Sequence, residues 1–202
     1  MIIPSFKHLT AAPAKVYLTF DDGPCHHTTQ WLTQLLVKHE CAATFFLLGE
    51  NVCNFTHLNN NYDHFLFEVA NHGYAHLNGW QTSDITYIKN YIYGKQALQK
   101  LPNFVPKLFR APYGKLTPTQ YLKFKRFSHI AWWTLMAYDF KISKNPEIML
   151  ERLKRKTKAG SIVVLHENEK SYQNLKFILP QYLLWLNEQG FATGKLSELI
   201  TA

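Results

Sequence analysis

The sequence predicts an α/β fold, a distorted parallel (β/α) barrel of about seven strands in a single domain. Short apolar runs alternate with segments of helical periodicity, and the runs are apolar on both faces, as in a parallel sheet covered by helices. No Gly-rich phosphate loop follows the first run, which disfavours an open nucleotide-binding sheet. The 202 residues, 47% of them hydrophobic, are enough for one domain with its own core.

Each element is predicted from its local pattern. Strands are predicted where β-branched, aromatic and aliphatic residues stand together and a breaker ends the run. These strands are 15–20, 42–48, 107–110, 129–135 and 161–165, with a last extended piece at 191–196. Helices are predicted where apolar residues recur every three or four positions. These helices are 28–40, 84–101, one that Thr117-Pro118 opens, 146–158 and 172–188.

Particular residues set the boundaries of these elements. Gly23-Pro24 stops the first strand, and Gly49 closes the second. Thr28 or its neighbour is the candidate N-cap of the first helix, and Ser83 caps the next. Residues 51–67 show no clear pattern, so no element is predicted there.

The helix that begins at Asp84 carries two sets of apolar side chains. The predicted inner stripe consists of Ile85, Ile88, Ile92 and Leu98. A second cluster, interpreted as packing on the same helix, consists of Tyr87, Tyr91 and Tyr93.

The chain is basic, with 22 Lys and Arg against 14 Asp and Glu and a net charge of +8. Such a charge favours anionic partners, which include nucleic acid, an anionic wall polymer and a membrane surface. The densest basic cluster, 152–158, has the spacing of a solvated helix face, and no nucleic-acid motif accompanies it. No run of 18 apolar residues is present. We therefore expect no nucleic-acid partner, no membrane span and a monomer.

The termini and cysteines give further limits. Residues 1–14 are expected to form an irregular arm before a domain at 15–202. Residues 1–8 lack the basic start and apolar core of a signal peptide. This leaves the cytoplasm open, and the cell envelope or secretion if a leader has been removed. The cysteines at 25, 41 and 53 form no CxxC pair, and they predict neither a disulfide framework nor a zinc ribbon.

Unusual polar residues follow the strand-like runs, and the carboxyl ends of parallel strands share one face where active sites form. These residues are Asp21, Asp22, His72, His76, Arg110, Asp139 and His166. An acidic pair beside Gly-Pro is also typical of an ordinary turn. Their repetition along the chain favours a single reactive site.

The spacing of His72 and His76 allows both imidazoles to reach one cation. With a carboxylate such as Asp22 they would form a His₂Asp set with an open position for water, as in catalytic zinc sites. A histidine pair at this spacing is also common as a purely structural feature.

Five ordered motifs resemble those of the polysaccharide deacetylase family, the NodB-homology domain of carbohydrate esterase family 4. They are Thr19–Pro24, Asn71–His76, Phe109–Gly114, Tyr138–Phe140 and Val164–His166. The resemblance runs from about Lys15 to Leu196 and makes 15–202 the expected catalytic domain. It implies a distorted (β/α) barrel that removes acetyl groups in a metal-dependent reaction. The expected partner is an acetylated amino-sugar oligomer or polymer, most of all one that contains N-acetylglucosamine.

The resemblance also implies roles for individual residues. Asp21 would be the general base, oriented by Arg110. The metal ligands would be Asp22, His72 and His76. The metal would be Zn²⁺, although Co²⁺, Ni²⁺ or Mn²⁺ suit the same ligands. Tyr113 would supply a backbone N–H to the oxyanion, and His166 would be the general acid with Asp139 as its partner.

The fourth and fifth motifs depart from the family pattern. The fourth usually reads Asp-x-x-Asp-Trp, and here Met136 replaces the first acid and Phe140 the tryptophan. The fifth begins with Val164 instead of leucine. Phe140 and Val164 would line an acyl pocket that keeps room for acetyl.

Two alternative functions stay open. One is hydrolysis of a small non-sugar acyl amide at the same site, and the other is a silent, basic polymer-binding module.

Further residues near the motifs have both a structural and a functional interpretation. Cys25, His26 and His27 are interpreted as loop residues, although they could add a ligand. One of Trp132 and Trp133 is expected to face the site and the other the helices. The residues expected to stack on a sugar are Tyr74, Trp80 and Tyr113.

Overall fold

The computed structural model describes residues 14–141 and 145–200, so the predicted arm lies outside the described residues except for Ala14. The strands are β1 Lys15–Asp21, β2 Ala43–Leu47, β3 Phe67–Asn71, β4 Phe104–Phe109, β5 His129–Ile130, β6 Leu135–Met136, β7 Ile162–His166 and β8 Ala192–Thr193. The α-helices are α1 Thr29–Lys38, α2 Gly49–Asn54, α3 Asp84–Leu98, α4 Pro118–Phe124, α5 Pro146–Lys156 and α6 Tyr172–Glu188. Short 3₁₀ helices lie at Thr56–Tyr62, Gly79–Gln81, Pro112–Gly114 and Leu196–Leu199.

The strands form one parallel sheet in the order β5-β4-β3-β2-β1-β7-β6, and β8 pairs with the start of β1. The sheet curls into a half-barrel with β5 and β6 at its two ends. The predicted single α/β domain with about seven parallel strands is confirmed. Because the strands are parallel, their carboxyl ends lie at one edge.

Alternation along β1 divides the core into two layers. Val16, Leu18 and Phe20 are fully buried in the main cluster, which α1 and α6 cover. Tyr17 belongs to a second cluster on the concave face of the sheet. Since side chains alternate, Thr19 and Asp21 share this concave face. The strand thus places its last carboxylate inside the half-barrel.

The prediction of one strand over 129–135 is wrong. The segment forms two strands of two residues each, and the four residues between them are not in a strand. β5 pairs with β4, and β6 pairs with β7 at the other end of the sheet. Between β5 and β6 the chain therefore crosses from one end of the sheet to the other, and these four residues lie outside both strand pairings.

The predicted inner stripe of α3 is also wrong in part. Ile85 is 70% exposed and Ile92 is 42% exposed. The buried face carries Tyr87 and Tyr91, which pack as the sequence predicted, and their rings contact the phenylalanines of α4 and β4. This face turns inward because Gly94 allows the helix to approach the loop after β3.

The other predicted strands and helices are present with shifted ends, and of the two predicted caps only one forms. Ser83 caps α3 by accepting a hydrogen bond from the Thr86 N–H at 3.3 Å. Thr28 precedes α1 but makes no such cap. The unassigned stretch 51–67 contains most of α2 and a 3₁₀ helix. None of the helices in the described ranges is long and apolar enough to cross a membrane.

Replacing Gly94 by Ala should destabilise the fold. A Cβ there would overlap the backbone of Gly73 and lie 2.6 Å from Asn71 Oδ1. Alanine gains about 1 kcal/mol in helix propensity, yet overpacking costs about 1–3 kcal/mol. We expect a net loss of about 1 kcal/mol or more in the free energy of unfolding, measured by urea titration. The exposed Gln96→Ala on the same helix is the control, and a Gly94→Ala protein as stable as the parent would contradict the close packing.

Candidate metal centre and active-site cavity

A cavity of about 300 Å³ opens at the carboxyl edge of the sheet. Seven of the ten predicted site residues line it: Asp21, His72, His76, Tyr113, Phe140, Val164 and His166. Asp22, Arg110 and Asp139 lie directly behind these residues and contact them. A larger cavity of about 550 Å³, next to the ends of α1 and α6, contains none of the ten. The predicted residues therefore meet at one place.

Asp22, His72 and His76 bring three ligand atoms within 4.8 Å of one another. Asp22 Oδ1 lies 3.5 Å from His72 Nε2 and 3.2 Å from His76 Nε2. This oxygen is buried and yet makes no hydrogen bond. Two imidazole nitrogens and one buried carboxylate oxygen without a hydrogen bond therefore converge, and this arrangement fits a divalent cation.

The protonation states suit such a cation. His72 Nδ1 donates to the backbone carbonyl of Arg110 at 2.9 Å, so its Nε2 presents a lone pair to the cluster. Burial and neighbouring His72 together lower the pKa of His76 to about 4, against the opposing charge of Asp22. Burial alone would raise the pKa of Asp22, but His72 and His76 outweigh it and the pKa is lowered. The cluster offers a carboxylate and neutral imidazole at neutral pH.

Two asparagines hold Asp22 in place, and sequence reasoning missed both. Asn168 Nδ2 donates to Asp22 Oδ2 at 2.7 Å, and Asn51 Nδ2 donates to the Asp22 carbonyl at 2.7 Å. These contacts turn Oδ1 toward the histidines. Asn168 follows His166 by two residues, and this position after a strand end was a signal that could have identified it.

Arg110 is fully buried at the end of β4 and orients Asp21. Its Nη1 donates to Asp21 Oδ1 at 2.8 Å and to Thr19 Oγ1 at 2.7 Å. The guanidinium carbon lies 4.1 Å from the centroid of the Phe46 ring. The second oxygen, Asp21 Oδ2, lies 4.0 Å from His72 Nε2, beside the candidate metal ligands.

His166 forms a charged pair with Asp139. Its Nδ1 lies 2.8 Å from Asp139 Oδ1, and its backbone N–H donates to Asp139 Oδ2 at 2.7 Å. Burial lowers the pKa of His166, but the hydrogen bond and charge of Asp139 overcome this and raise it to about 9. His166 is therefore a cation at neutral pH, in contrast to His76.

Apolar side chains form the cavity wall. Phe140 packs edge-on against His166, with ring centroids 4.9 Å apart, and Val164 lies on β7 beside it. Met136, which the sequence analysis did not place in the wall, and Trp133 also line the cavity. A side chain at Gly114 would overlap the Trp133 ring, and φ at this residue is 63°, so glycine is required.

The aromatic candidates divide between the cavity and other surfaces. Trp133 faces the cavity, as expected of one member of its pair, whereas Trp132 is half-exposed and lines a separate groove instead of packing on helices. Tyr113 is 57% exposed at the cavity edge, and its ring lies 4.3 Å from that of His76. Tyr74 lies away from this cavity, in the groove between α2 and α3.

The residues after the first motif stay outside the ligand cluster. Cys25 is buried, and its Sγ donates to Glu169 Oε1 at 3.2 Å. His26 and His27 are exposed. Glu167, which was not predicted, is fully buried beneath Gly23 and bonds Thr29 and Tyr62. Burial raises its pKa to about 7.

Asp139→Asn should lower the pKa of His166 from about 9 toward 6.5, because the amide keeps the shape and removes the charge. NMR titration of the imidazole in chelator-treated protein measures this shift. The exposed Asp63→Asn should leave it unchanged. The pair stabilises the fold fully below pH 6.5, and this contribution is lost as the pH rises through about 9. A His166 pKa that stays near 9 in Asp139→Asn would assign the shift to other groups.

Asn168→Ala should weaken divalent-cation binding at the cluster by about 10- to 100-fold, because Asp22 Oδ2 loses its donor. Competition with a zinc-binding dye measures the affinity. Asn187→Ala, at the distant end of α6, is the matched control. Equal affinity in both variants would show that Asn168 does not support the site.

Comparison with known proteins matches residues 8–127 to the polysaccharide deacetylase family. A peptidoglycan-N-acetylglucosamine deacetylase of Bacillus cereus is 30% identical over 83% of this chain and 63% of its own length. The peptidoglycan-N-acetylmuramic acid deacetylase of Bacillus subtilis is 26% identical over 91% of this chain and 38% of its own. The chain thus spans less than two thirds of either relative.

The fold agrees with these sequence matches. A crystal structure of a peptidoglycan N-acetylglucosamine deacetylase superposes with a TM-score of 0.85 and 26% identity, over 92% of this chain and 87% of that one. The family match covers more than half of the chain, and it includes the first three of the five motifs. The chain belongs to the polysaccharide deacetylase family.

Proposed function

We propose that this chain is a metal-dependent hydrolase that removes N-acetyl groups from oligo- or polysaccharides containing N-acetylglucosamine. The observation that carries the proposal is one cavity in which the cluster of Asp22, His72 and His76 adjoins both Asp21 and His166. A base, an acid and a cation site in such proximity are the groups that amide hydrolysis needs. The names of the relatives, which specify acetylated amino sugars of peptidoglycan, support this substrate class.

The cation would be held by Asp22, His72 and His76. Two imidazoles and one carboxylate suit Zn²⁺, and Co²⁺, Ni²⁺ or Mn²⁺ could replace it. When bound, such a cation lowers the pKa of a ligated water to about 7 and polarises a carbonyl. The free Oδ1 of Asp22 supports this assignment, because its burial without a partner is otherwise costly.

Asp21 would take up the proton of the attacking water at Oδ2. Its other oxygen is engaged by Arg110 and faces away from the cluster. The buried guanidinium fixes the orientation of the carboxylate through Oδ1, so only Oδ2 is free to accept a proton. Arg110 therefore acts through Asp21 and has no direct contact with substrate in this scheme.

His166 would donate a proton to the leaving nitrogen. Its raised pKa keeps the imidazolium populated at neutral pH, and Asp139 holds Nδ1 so that Nε2 points to the cavity. The backbone N–H of Tyr113, at the cavity edge, would donate to the oxyanion. Phe140 and Val164 would enclose the methyl group of the acyl part.

A second candidate function is hydrolysis of a small non-sugar acyl amide. The observation that favours it is the apolar wall of Met136 and Phe140, at positions where the family motif carries an acid and a tryptophan. This change makes the pocket less polar than the family pattern implies. The same base, acid and cation site would serve both substrates.

Acetate release from N-acetylglucosamine oligomers tests the proposal. We expect release that a chelator stops and added zinc restores, because the cation site is required. Small acyl amides are assayed in parallel. Activity on these amides alone would favour the second candidate. If the zinc-loaded protein binds the oligomers but hydrolyses neither the oligomers nor the amides, a silent binding module is favoured.

His76→Ala should abolish zinc retention and acetate release together, because His76 supplies one of three ligands. Metal content and turnover are measured on the same sample. The exposed His26→Ala is the matched control and should retain both. Full activity of His76→Ala without bound metal would contradict the assigned ligand set.

A further inference from the structure

Lys115 lines the active-site cavity and lacks a carboxylate partner. It follows Gly114 in the loop after β4, and its side chain is only partly exposed. Its Nζ lies 4.8 Å from the centroid of the Trp80 ring and 6.0 Å from that of Tyr113. Among residues 14–141 and 145–200, no carboxylate oxygen lies within 4.0 Å of this Nζ. Lys115 thus contributes to the cavity wall and carries, beside Trp80 at its edge, a positive charge without a carboxylate partner.

Aromatic contacts hold this ammonium at the cavity edge. Trp80 donates its Nε1–H to the Leu116 carbonyl at 3.1 Å, which fixes the indole next to the lysine. The ring face attracts the cation without neutralising it. The charge of Lys115 therefore remains available to an anionic group of a ligand, on a surface that also offers two aromatic rings.

The acids near the cavity cannot supply that anionic group. Asp21 is paired with Arg110, and Asp139 is paired with His166. Asp22 faces the two histidines of the metal cluster. Since the histidines beside Asp22 carry no offsetting charge, Lys115 balances the Asp22 carboxylate, and a bound divalent cation would give the cavity a net positive charge.

A second cation–aromatic contact adjoins the same cavity. Arg152 and Lys141 lie over the ring of Tyr138, at 4.7 Å and 4.8 Å from its centroid. Tyr138 in turn contacts Phe140 of the cavity wall. Positive charge therefore flanks the cavity on two sides. This arrangement fits a polysaccharide ligand that carries repeated anionic groups.

We propose that Lys115 makes the enzyme selective for acetylated amino sugars that carry a carboxylate on the enclosed ring. This inference rests on the proposed deacetylase function and names its substrate class more closely. A cavity of about 300 Å³ is at the small end for ligand sites and has room for about one sugar ring, which would carry both the acetamido group and the carboxylate. Trp80 and Tyr113 would receive the apolar face of the sugar, and the ammonium would donate to the carboxylate.

A matched pair of glycans tests this selectivity. The first is a peptide-free glycan of alternating N-acetylglucosamine and N-acetylmuramic acid, and the second is the same glycan with each carboxylate converted to a neutral methyl amide. We expect kcat/KM for acetate release to be about tenfold higher on the charged glycan, the size of one charge-assisted hydrogen bond. The ratio should fall as salt is raised, because the lysine is partly exposed.

Variants assign the preference to the ammonium. Lys115→Gln should reduce the ratio of charged to neutral kcat/KM to about one, mainly through KM, and Lys115→Arg should restore most of it. Lys125→Gln is the matched control, because Lys125 also lies over a tyrosine ring, at 5.8 Å, but lines no part of the cavity. It should keep the parental ratio.

The outcomes separate this inference from the proposed function. Equal kcat/KM on both glycans, unchanged in Lys115→Gln, would overturn the inference and leave the deacetylase function intact. A preference that persists in Lys115→Gln would assign it to other residues and also overturn the inference. No acetate release from either glycan or from chitin-type oligomers, by folded and zinc-loaded protein, would overturn the proposed function itself.

Discussion

The buried guanidinium of Arg110 is the interaction on which the half-barrel and its cavity depend. It binds Thr19 and Asp21 of β1, contacts Phe46 of β2 and donates through Nε to the Ala131 carbonyl after β5. The Arg110 backbone carbonyl accepts a hydrogen bond from the imidazole of His72, which follows β3. One residue therefore ties four strands on the concave face. Burying this charge is tolerable only because a carboxylate, a hydroxyl and a carbonyl all face it.

This arrangement gives two adjacent carboxylates different environments. Asp21 ends β1 on the concave face, where Arg110 engages one of its oxygens. Asp22 leaves the strand with a φ of 81° and turns toward the two histidines instead. Asn168 supports it from the loop after β7. Backbone geometry therefore places Asp21 beside the Arg110 guanidinium and Asp22 at the candidate metal centre, although both residues are aspartates.

The same principle separates the histidines. His166 lies against buried Asp139, and its pKa rises to about 9, whereas burial next to His72 lowers the pKa of His76 to about 4. At neutral pH the His166 imidazole is protonated and the His76 imidazole is neutral. The two states differ in which effect dominates: at His166 the hydrogen bond and charge of Asp139 outweigh burial, whereas at His76 burial and His72 outweigh the charge of Asp22. The cavity can therefore offer acid and ligand functions with one residue type.

The sequence by itself determined the alternation of strands and helices and the position of the reactive residues after the strands, because periodicity and breakers are local properties. It also identified the family, since the motifs are contiguous. It could not determine the split between β5 and β6, the tyrosine face of α3, or the contacts of Asn168, Trp133 and Lys115 with the site. Each of these features depends on contacts between distant segments. The curl of the sheet separates β5 from β6, the approach of Gly94 to Gly73 selects the buried face of α3, and the loops at the carboxyl edge of the sheet form the cavity. Such contacts are long-range packing, which only the tertiary structure decides.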